Sequence, residues 1–207
     1  MADIEYFYTA HSAFAYLGSA RFLAIAAAAG RRIVHKPMDL HRVVAAGGAG
    51  PTRARSRAHR AYYFGREIER WAEWRGAPVT RGMPTHHHND MALANGMIVA
   101  GTLQEVDMDR LAHAMLQAHW RDDADLADRA TLAALALEVD LDPRPLLDAA
   151  LTPAVQAQYA ANTDEAVARS VFGSPTYFVD GDMFYGQDRL EMVERALDKP
   201  VARTWPE

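Results

Sequence analysis

Apolar and polar positions along the chain fall into short blocks whose periods change abruptly. Ile4-Glu5-Tyr6-Phe7-Tyr8-Thr9 is dense in aromatic and β-branched residues and predicts a strand. Ala13 to Ala29 then places Phe14, Leu17, Phe22 and Ile25 near helical spacing and stops at Gly30, a C-terminal capping position. Arg32 to Pro37 predicts a second strand, with Pro37 marking either its end or a place at a sheet edge. Leu40 to Ala46 is helical, and Gly47-Gly48-Ala49-Gly50-Pro51 is a loop by composition. Thr52 suits the N-cap of a helix that carries Ile68, Trp71 and Trp74, reaches about Arg75 and is stopped by Gly76-Ala77-Pro78.

Val79 to Asp90 is irregular. Five helical patterns follow: Met91 to Gln104, Met108 to Trp120, Leu126 to Val139, Pro143 to Leu151 and Pro153 to Val171, with Asp140 or Asp142 placed to cap the fourth. Thr176 to Val179 and Met183 to Tyr185 are strands joined at Asp180-Gly181-Asp182, a strong hairpin signal, and Asp188 to Leu197 is a last helix. The order is therefore βαβ, a long helical block, then ββα. This is an α/β chain of the thioredoxin-like kind with a large all-helical insertion. Residues 1–40 and 172–207 make up the discontinuous thioredoxin-like domain, and 41–171 make up the insertion.

Composition narrows the chemistry. The 207 residues are enough for a substantial core, and 50% hydrophobic with 24% charged residues fits an ordinary globular protein. The net charge of -5, with arginines interleaved among acids, argues against nucleic acid as a partner. There is no cysteine, which excludes disulfides, dithiol redox chemistry and thiolate metal sites. The first residues lack a basic region and an apolar signal core, and the longest apolar run, Phe22 to Ala29, is too short to span a bilayer, so no membrane and a cytoplasmic location are expected.

The candidate site lies at two junctions. Ser12 stands where the first strand gives way to the first helix, the place where redox members of such folds keep sulfur. Its hydroxyl serves either as a plain N-cap or as a donor to a ligand at the helix N-terminus, where free amides and the helix dipole favour negative charge. A nucleophilic serine would need a base, whereas a hydroxyl that stabilises another molecule's thiolate needs none. At the second junction Pro175 is either a strand-start proline or a cis bond that holds the Ser174 backbone open to an extended ligand. Downstream, Tyr185-Gly186-Gln187-Asp188 is either a helix cap or a holder for a ligand's ammonium. His86-His87-His88 reads as a polar loop near the site, without the spaced partners of a metal centre, and His119 beside Trp120 reads as packed. On the substrate side the candidates are His11, Arg53 and Asn89, with Arg53 able to bind a carboxylate.

Several motifs together resemble the 2-hydroxychromene-2-carboxylate isomerase family. They are Tyr6-Phe7-Tyr8 with Ser12, Phe14, Tyr16 and Leu17; Met38-Asp39-Leu40; Gly50-Pro51; Arg70-Trp71-Ala72; Val171-Phe172-Gly173-Ser174-Pro175-Thr176; and Tyr185-Gly186-Gln187-Asp188-Arg189-Leu190. They run in order across nearly the whole chain, and the last two are the most specific. Kappa-class glutathione transferases are similar and share the fold. The resemblance implies a glutathione-dependent isomerase and, as in the family, a possible homodimer. It implies that Ser12 holds the glutathione sulfur as a thiolate, that Ser174 beside Pro175 pairs with the glutathione backbone, and that Tyr185, Gly186, Gln187 and Asp188 hold its γ-glutamyl end. The family's proline after the serine is Ala13 here, a substrate-side lysine is matched by Val44, and an Asn-Arg pair by Arg53 and Ala54. The thiol side is thus kept better than the substrate side. This leaves room for a kappa-like transferase acting on another electrophile, or for a non-catalytic module that binds an extended peptide.

Overall fold

The structure, a computed structural model, describes residues 3–48, 50 and 54–200. Among the described residues a four-stranded sheet has the order β2-β1-β3-β4, where β1 is Ile4–Tyr8, β2 Ile33–Pro37, β3 Thr176–Val179 and β4 Asp182–Tyr185. β1 runs parallel to β2, from Ile4 opposite Ile33 to Tyr8 opposite Pro37, and antiparallel to β3. Pro37 is both the end of its strand and a member of an edge strand, so its missing N–H removes no ladder bond. β3 and β4 form a hairpin whose loop residues, Asp180 and Gly181, have φ of 50° and 90°. Two positive φ values in a two-residue loop match the right-handed twist of the strands, which is why Asp-Gly occupies it.

Alternation along β1 gives the sheet two different faces. Tyr6 and Tyr8 point to one face, where Tyr6 stacks on its cross-strand partner Tyr177 with centroids 5.3 Å apart and packs on Phe22 of α1 (Ala13–Ala28). Phe7 points to the other, edge-on to Phe178, and joins Met38, Val43, Ala166 and Val171 in a smaller core. Lys36 bridges Glu5 and Glu165 at 2.6 Å each, and Arg169 bonds the same two acids with its guanidinium 3.6 Å from the Phe178 ring centroid. These contacts tie α9 (Pro153–Ala168) to that second face. On the first face the buried His35 takes the Tyr8 hydroxyl on Nδ1 at 3.0 Å and meets Asp109 through Nε2 at 2.8 Å, fastening α6 (Asp109–Asp122) to the sheet.

The remaining helices are α2 (Leu40–Ala46), α3 (Arg57–Ala61), α4 (Glu67–Arg75), α5 (Ala92–Leu103), α7 (Arg129–Glu138), α8 (Pro143–Ala150) and α10 (Leu190–Asp198), so α2 to α9 fill the interval between β2 and β3. Asp142 caps α8. The helix expected from Thr52, which lies outside the described residues, begins at Arg57 because the Ser56 side chain accepts the His59 N–H. A π-helical turn, Tyr62–Arg66, joins α3 to α4. The last helix starts at Leu190, with Gln187–Arg189 forming a 3₁₀ turn, so Asp188 lies inside that turn instead of capping α10. α1 closes as expected: Gly30 (φ 61°) donates to Ala27 and Arg31 to Ala26, a two-bond C-terminal cap. No helix among the described residues is long and apolar enough to cross a membrane.

Candidate functional site

The turn Thr9-Ala10-His11-Ser12 connects β1 to α1 and closes on itself through the Ser12 N–H to the Thr9 carbonyl at 3.0 Å. A buried polar residue sets its shape. Asn95, fully buried in the largely apolar α5, accepts the Ala10 N–H at 3.0 Å, and its amide nitrogen donates to Thr9 Oγ1 and the Tyr159 hydroxyl, each at 3.2 Å. Burying an amide without partners would cost several kcal/mol, so this one is fully used. Sequence reading passed over Asn95; the signal was a lone amide in the apolar run Ala92 to Leu103.

Ser12 is the N-cap of α1. Its Oγ accepts the Ala15 N–H and donates to the Ser174 carbonyl, both at 3.3 Å. The Ser174 hydroxyl in turn accepts the Thr9 N–H at 3.3 Å. The Ser174–Pro175 peptide is cis, and the Pro175 carbonyl accepts the Gly186 N–H at 2.9 Å. Ser12, Ser174, Pro175 and Gly186 are thereby brought together from the two ends of the chain.

Beside Ser174 lies a cleft of about 220 Å³. Its walls are Tyr185, Gly186, Gln187, Asp188 and Arg189 on one side and Phe14, Tyr63, Glu67 and Trp71 on the other. Tyr63 belongs to the π-helical turn, and Glu67 and Trp71 follow one and two turns on along the same face. Tyr63 packs on Phe14 with centroids 5.1 Å apart, and burial, followed by the nearby Tyr185, raises its hydroxyl pKa. Gly186 has φ 99°, and a Cβ there would lie 2.3 Å from Asp188 Oδ1, so only glycine fits this corner. The Gln187 side chain faces inward and is nearly fully buried. Arg75 holds its Oε1 at 3.1 Å and its carbonyl at 3.2 Å, and also pairs with Glu191 at 3.0 Å. Gly18 of α1 makes room for it, since a Cβ there would meet Gln187 Cβ at 2.6 Å. Asp188 is half-exposed and paired with Arg189 at 2.5 Å. Sequence reading did not single out Arg75, Tyr63 or Glu67.

The other side of the Thr9–Ser12 turn is built from imidazoles. His11 folds back on Thr9, Nδ1 to Oγ1 at 3.2 Å, and its carbonyl accepts the Trp120 indole N–H at 2.9 Å. The His87 ring lies 4.8 Å from the His11 ring, and His87 Nδ1 is 3.1 Å from Nε2 of the fully buried His119. Burial, then the neighbouring imidazoles, pushes His11 down to about 3 and His87 down to about 4; burial lowers His119 too. The middle histidine of the run is therefore part of this site. Asn89 instead bonds Asp125 at 3.0 Å, fixing the loop to the segment after α6. Arg53 lies outside the described residues. Val44 sits half-buried on α2.

The chain's likeness to known proteins spans its length. A DSBA-like thioredoxin domain matches residues 3–198. A 2-hydroxychromene-2-carboxylate isomerase of Sphingobium xenophagum is 29% identical over 198 residues, covering 94% of this chain and 97% of the relative. A protein of the same name from Pseudomonas sp. (strain C18) is 29% identical over 196 residues, covering 94% and 89%. A solved 2-hydroxychromene-2-carboxylate isomerase structure superposes with a TM-score of 0.76 at 24% identity, over 95% of this chain and 94% of that one.

Proposed function

The chain belongs to the DSBA-like thioredoxin domain family, and on that premise we propose that it is a glutathione-dependent isomerase that converts 2-hydroxychromene-2-carboxylate to trans-o-hydroxybenzylidenepyruvate. The observation that carries the reading is Ser12. In a cysteine-free chain matched end to end by relatives bearing the isomerase name, a hydroxyl occupies the helix N-terminus and reaches the backbone of Ser174 at the cleft.

The residues present fit glutathione. The glycine-cornered wall at Gly186 lets a ligand backbone approach, Ser174 offers main-chain groups to an extended tripeptide, and the Asp188 carboxylate suits its ammonium. When bound, glutathione supplies a thiol whose anion adds reversibly to a conjugated double bond, relaxing it to a single bond about which rotation occurs. The protein's task is to keep that sulfur ionised. The first-turn amides of α1 and its dipole favour the anion, and a hydroxyl donor adds a charge-assisted bond of about 1.5–3 kcal/mol. Ser12 reaches that role by turning its hydrogen from the Ser174 carbonyl, a 3.3 Å contact, toward the sulfur while still accepting the Ala15 N–H.

The test is turnover. Full-length protein with millimolar glutathione should consume 2-hydroxychromene-2-carboxylate well above the rate with glutathione alone, and Ser12→Ala should remove most of that excess. A rate equal to glutathione alone contradicts the proposal. A kappa-like transferase is the second reading, supported by the apolar Val44 where the isomerases carry a lysine. Conjugation of a chlorinated nitrobenzene without chromene turnover would favour it.

A further inference from the structure

The hydrogen bonds around the imidazole cluster fix the tautomers of His119 and His87. His119 Nδ1 lies 3.0 Å from the Ala124 carbonyl, which can only accept, so that nitrogen carries the hydrogen. In the neutral ring His119 Nε2 is then a bare lone pair, and His87 Nδ1, 3.1 Å away, must donate to it. The proton of His87 is thereby committed to Nδ1, leaving its Nε2 as a lone pair. The His11 ring lies against that of His87, centroids 4.8 Å apart, with its Nδ1 on the Thr9 hydroxyl at 3.2 Å. At the turn that carries Ser12 the protein thus holds two neighbouring imidazoles, and the His87 ring presents a lone pair.

The cluster is clamped. The Thr85 N–H and hydroxyl both bond Asp123 at 2.6 Å, the Asn89 amide bonds Asp125, and the Trp120 indole bonds the His11 carbonyl. The groups facing His87 are His119 from α6, His88 from its own loop, His41 from α2, and His11. None is an acid. A structural histidine needs no bare nitrogen at a half-buried position beside the strand–helix turn, whereas a proton acceptor does.

Resting on the isomerase reading above, we propose that His87 Nε2 is the proton acceptor for opening the substrate's cyclic hemiketal, with His119 as a positioning residue. The step balances within the substrate. The hemiketal O–H breaks and its proton passes to His87 Nε2; that oxygen's electron pair forms the ketone C=O; the bond from the same carbon to the ring oxygen breaks, leaving a phenolate; the phenolate takes the proton back from His87. No atom is gained or lost and no oxidant is needed. Burial keeps His87 uncharged in the free protein, and the substrate's own carboxylate, once bound, would favour the transient imidazolium.

His87→Asn keeps an N–H for His119 and removes the Nε2 lone pair; thermal unfolding of the variant confirms that it folds. In full-length protein with glutathione it should lose at least about 100-fold in kcat, with glutathione affinity within about twofold of wild type, and free imidazole should restore part of the activity of His87→Ala. Independently of turnover, ¹⁵N–¹H correlation of the imidazoles in the free protein should show His87 protonated on Nδ1. A kcat of His87→Asn within about threefold of wild type, or a His87 proton found on Nε2, overturns the assignment while leaving the isomerase reading intact. A wild-type protein that does not turn over the chromene overturns both.

Discussion

The hydroxyl of Ser12 and the main-chain carbonyl of Ser174 meet at 3.3 Å across 162 residues of sequence. One hydroxyl therefore performs two structural tasks, capping α1 and tying the first strand–helix junction to the cis-proline loop. Ser12→Ala removes both. The expected loss is about 1–2 kcal/mol from the cap and its bond, a fall in Tm of roughly 2–8 °C for a chain of this size. Ser12→Thr keeps the hydroxyl and should recover most of it. Thermal unfolding of the two variants at one pH checks this; equal destabilisation would show that the hydroxyl is not what matters.

Arg75 and Gln187 form the second long-range clamp. Removing the guanidinium in Arg75→Met leaves the Gln187 amide and carbonyl buried without their partner, at a cost of about 1–3 kcal/mol. The 3₁₀ turn that carries Asp188 rests on Gln187, so glutathione affinity should fall as well. Chemical denaturation and a binding isotherm on the same variant read the two effects. An affinity unchanged at reduced stability would separate Gln187 from the binding wall.

The imidazoles make stability depend on pH with a definite sign. His11 and His87 titrate near 3 and near 4 in the folded chain against about 6.5 unfolded, and His113 and His119 are also lowered, in every case chiefly by burial. Above pH 6.5 neither state is protonated and nothing changes. Below it the unfolded chain takes up protons that the folded chain refuses, so stability falls as pH drops from about 6.5 toward 4, at up to about 1.4 kcal/mol per pH unit for each such histidine. His87→Asn should flatten that slope between pH 6.5 and 4.5, a window above the lowered carboxylates such as Asp123. Urea midpoints across the window check it; a slope identical to wild type would contradict the burial of a neutral His87.

How much of this could be read from the chain depends on the range of the interaction. Pro37, Asp180-Gly181, Gly30 and Ser12 act through their own backbone or the next turn, so the strand end, the hairpin, the helix stop and the cap were legible. Ser56 displaced Thr52 as a visible cap because both are good capping residues and local pattern does not choose between them. The Arg75–Gln187 clamp, the Asn95 brace and the meeting of His11 with His87 were not legible. Each depends on which way a side chain points after distant elements have packed, and sequence spacing carries no such information. Likewise Gln187 and Asp188 stand side by side in sequence and both line the cleft, yet the Gln187 side chain is buried on Arg75 and that of Asp188 is half-exposed.

The most direct measurement is a calorimetric titration of glutathione into the full chain at neutral pH, repeated with Ser12→Ala and with S-methylglutathione. Saturable binding to the wild type below millimolar concentration is expected, weakened about tenfold or more both by Ser12→Ala and by methylation of the sulfur, since each removes the hydroxyl–thiolate bond. Absence of binding at millimolar glutathione, or equal affinity for the thiol and its methylated form, would contradict the account of Ser12 as the residue that holds the sulfur.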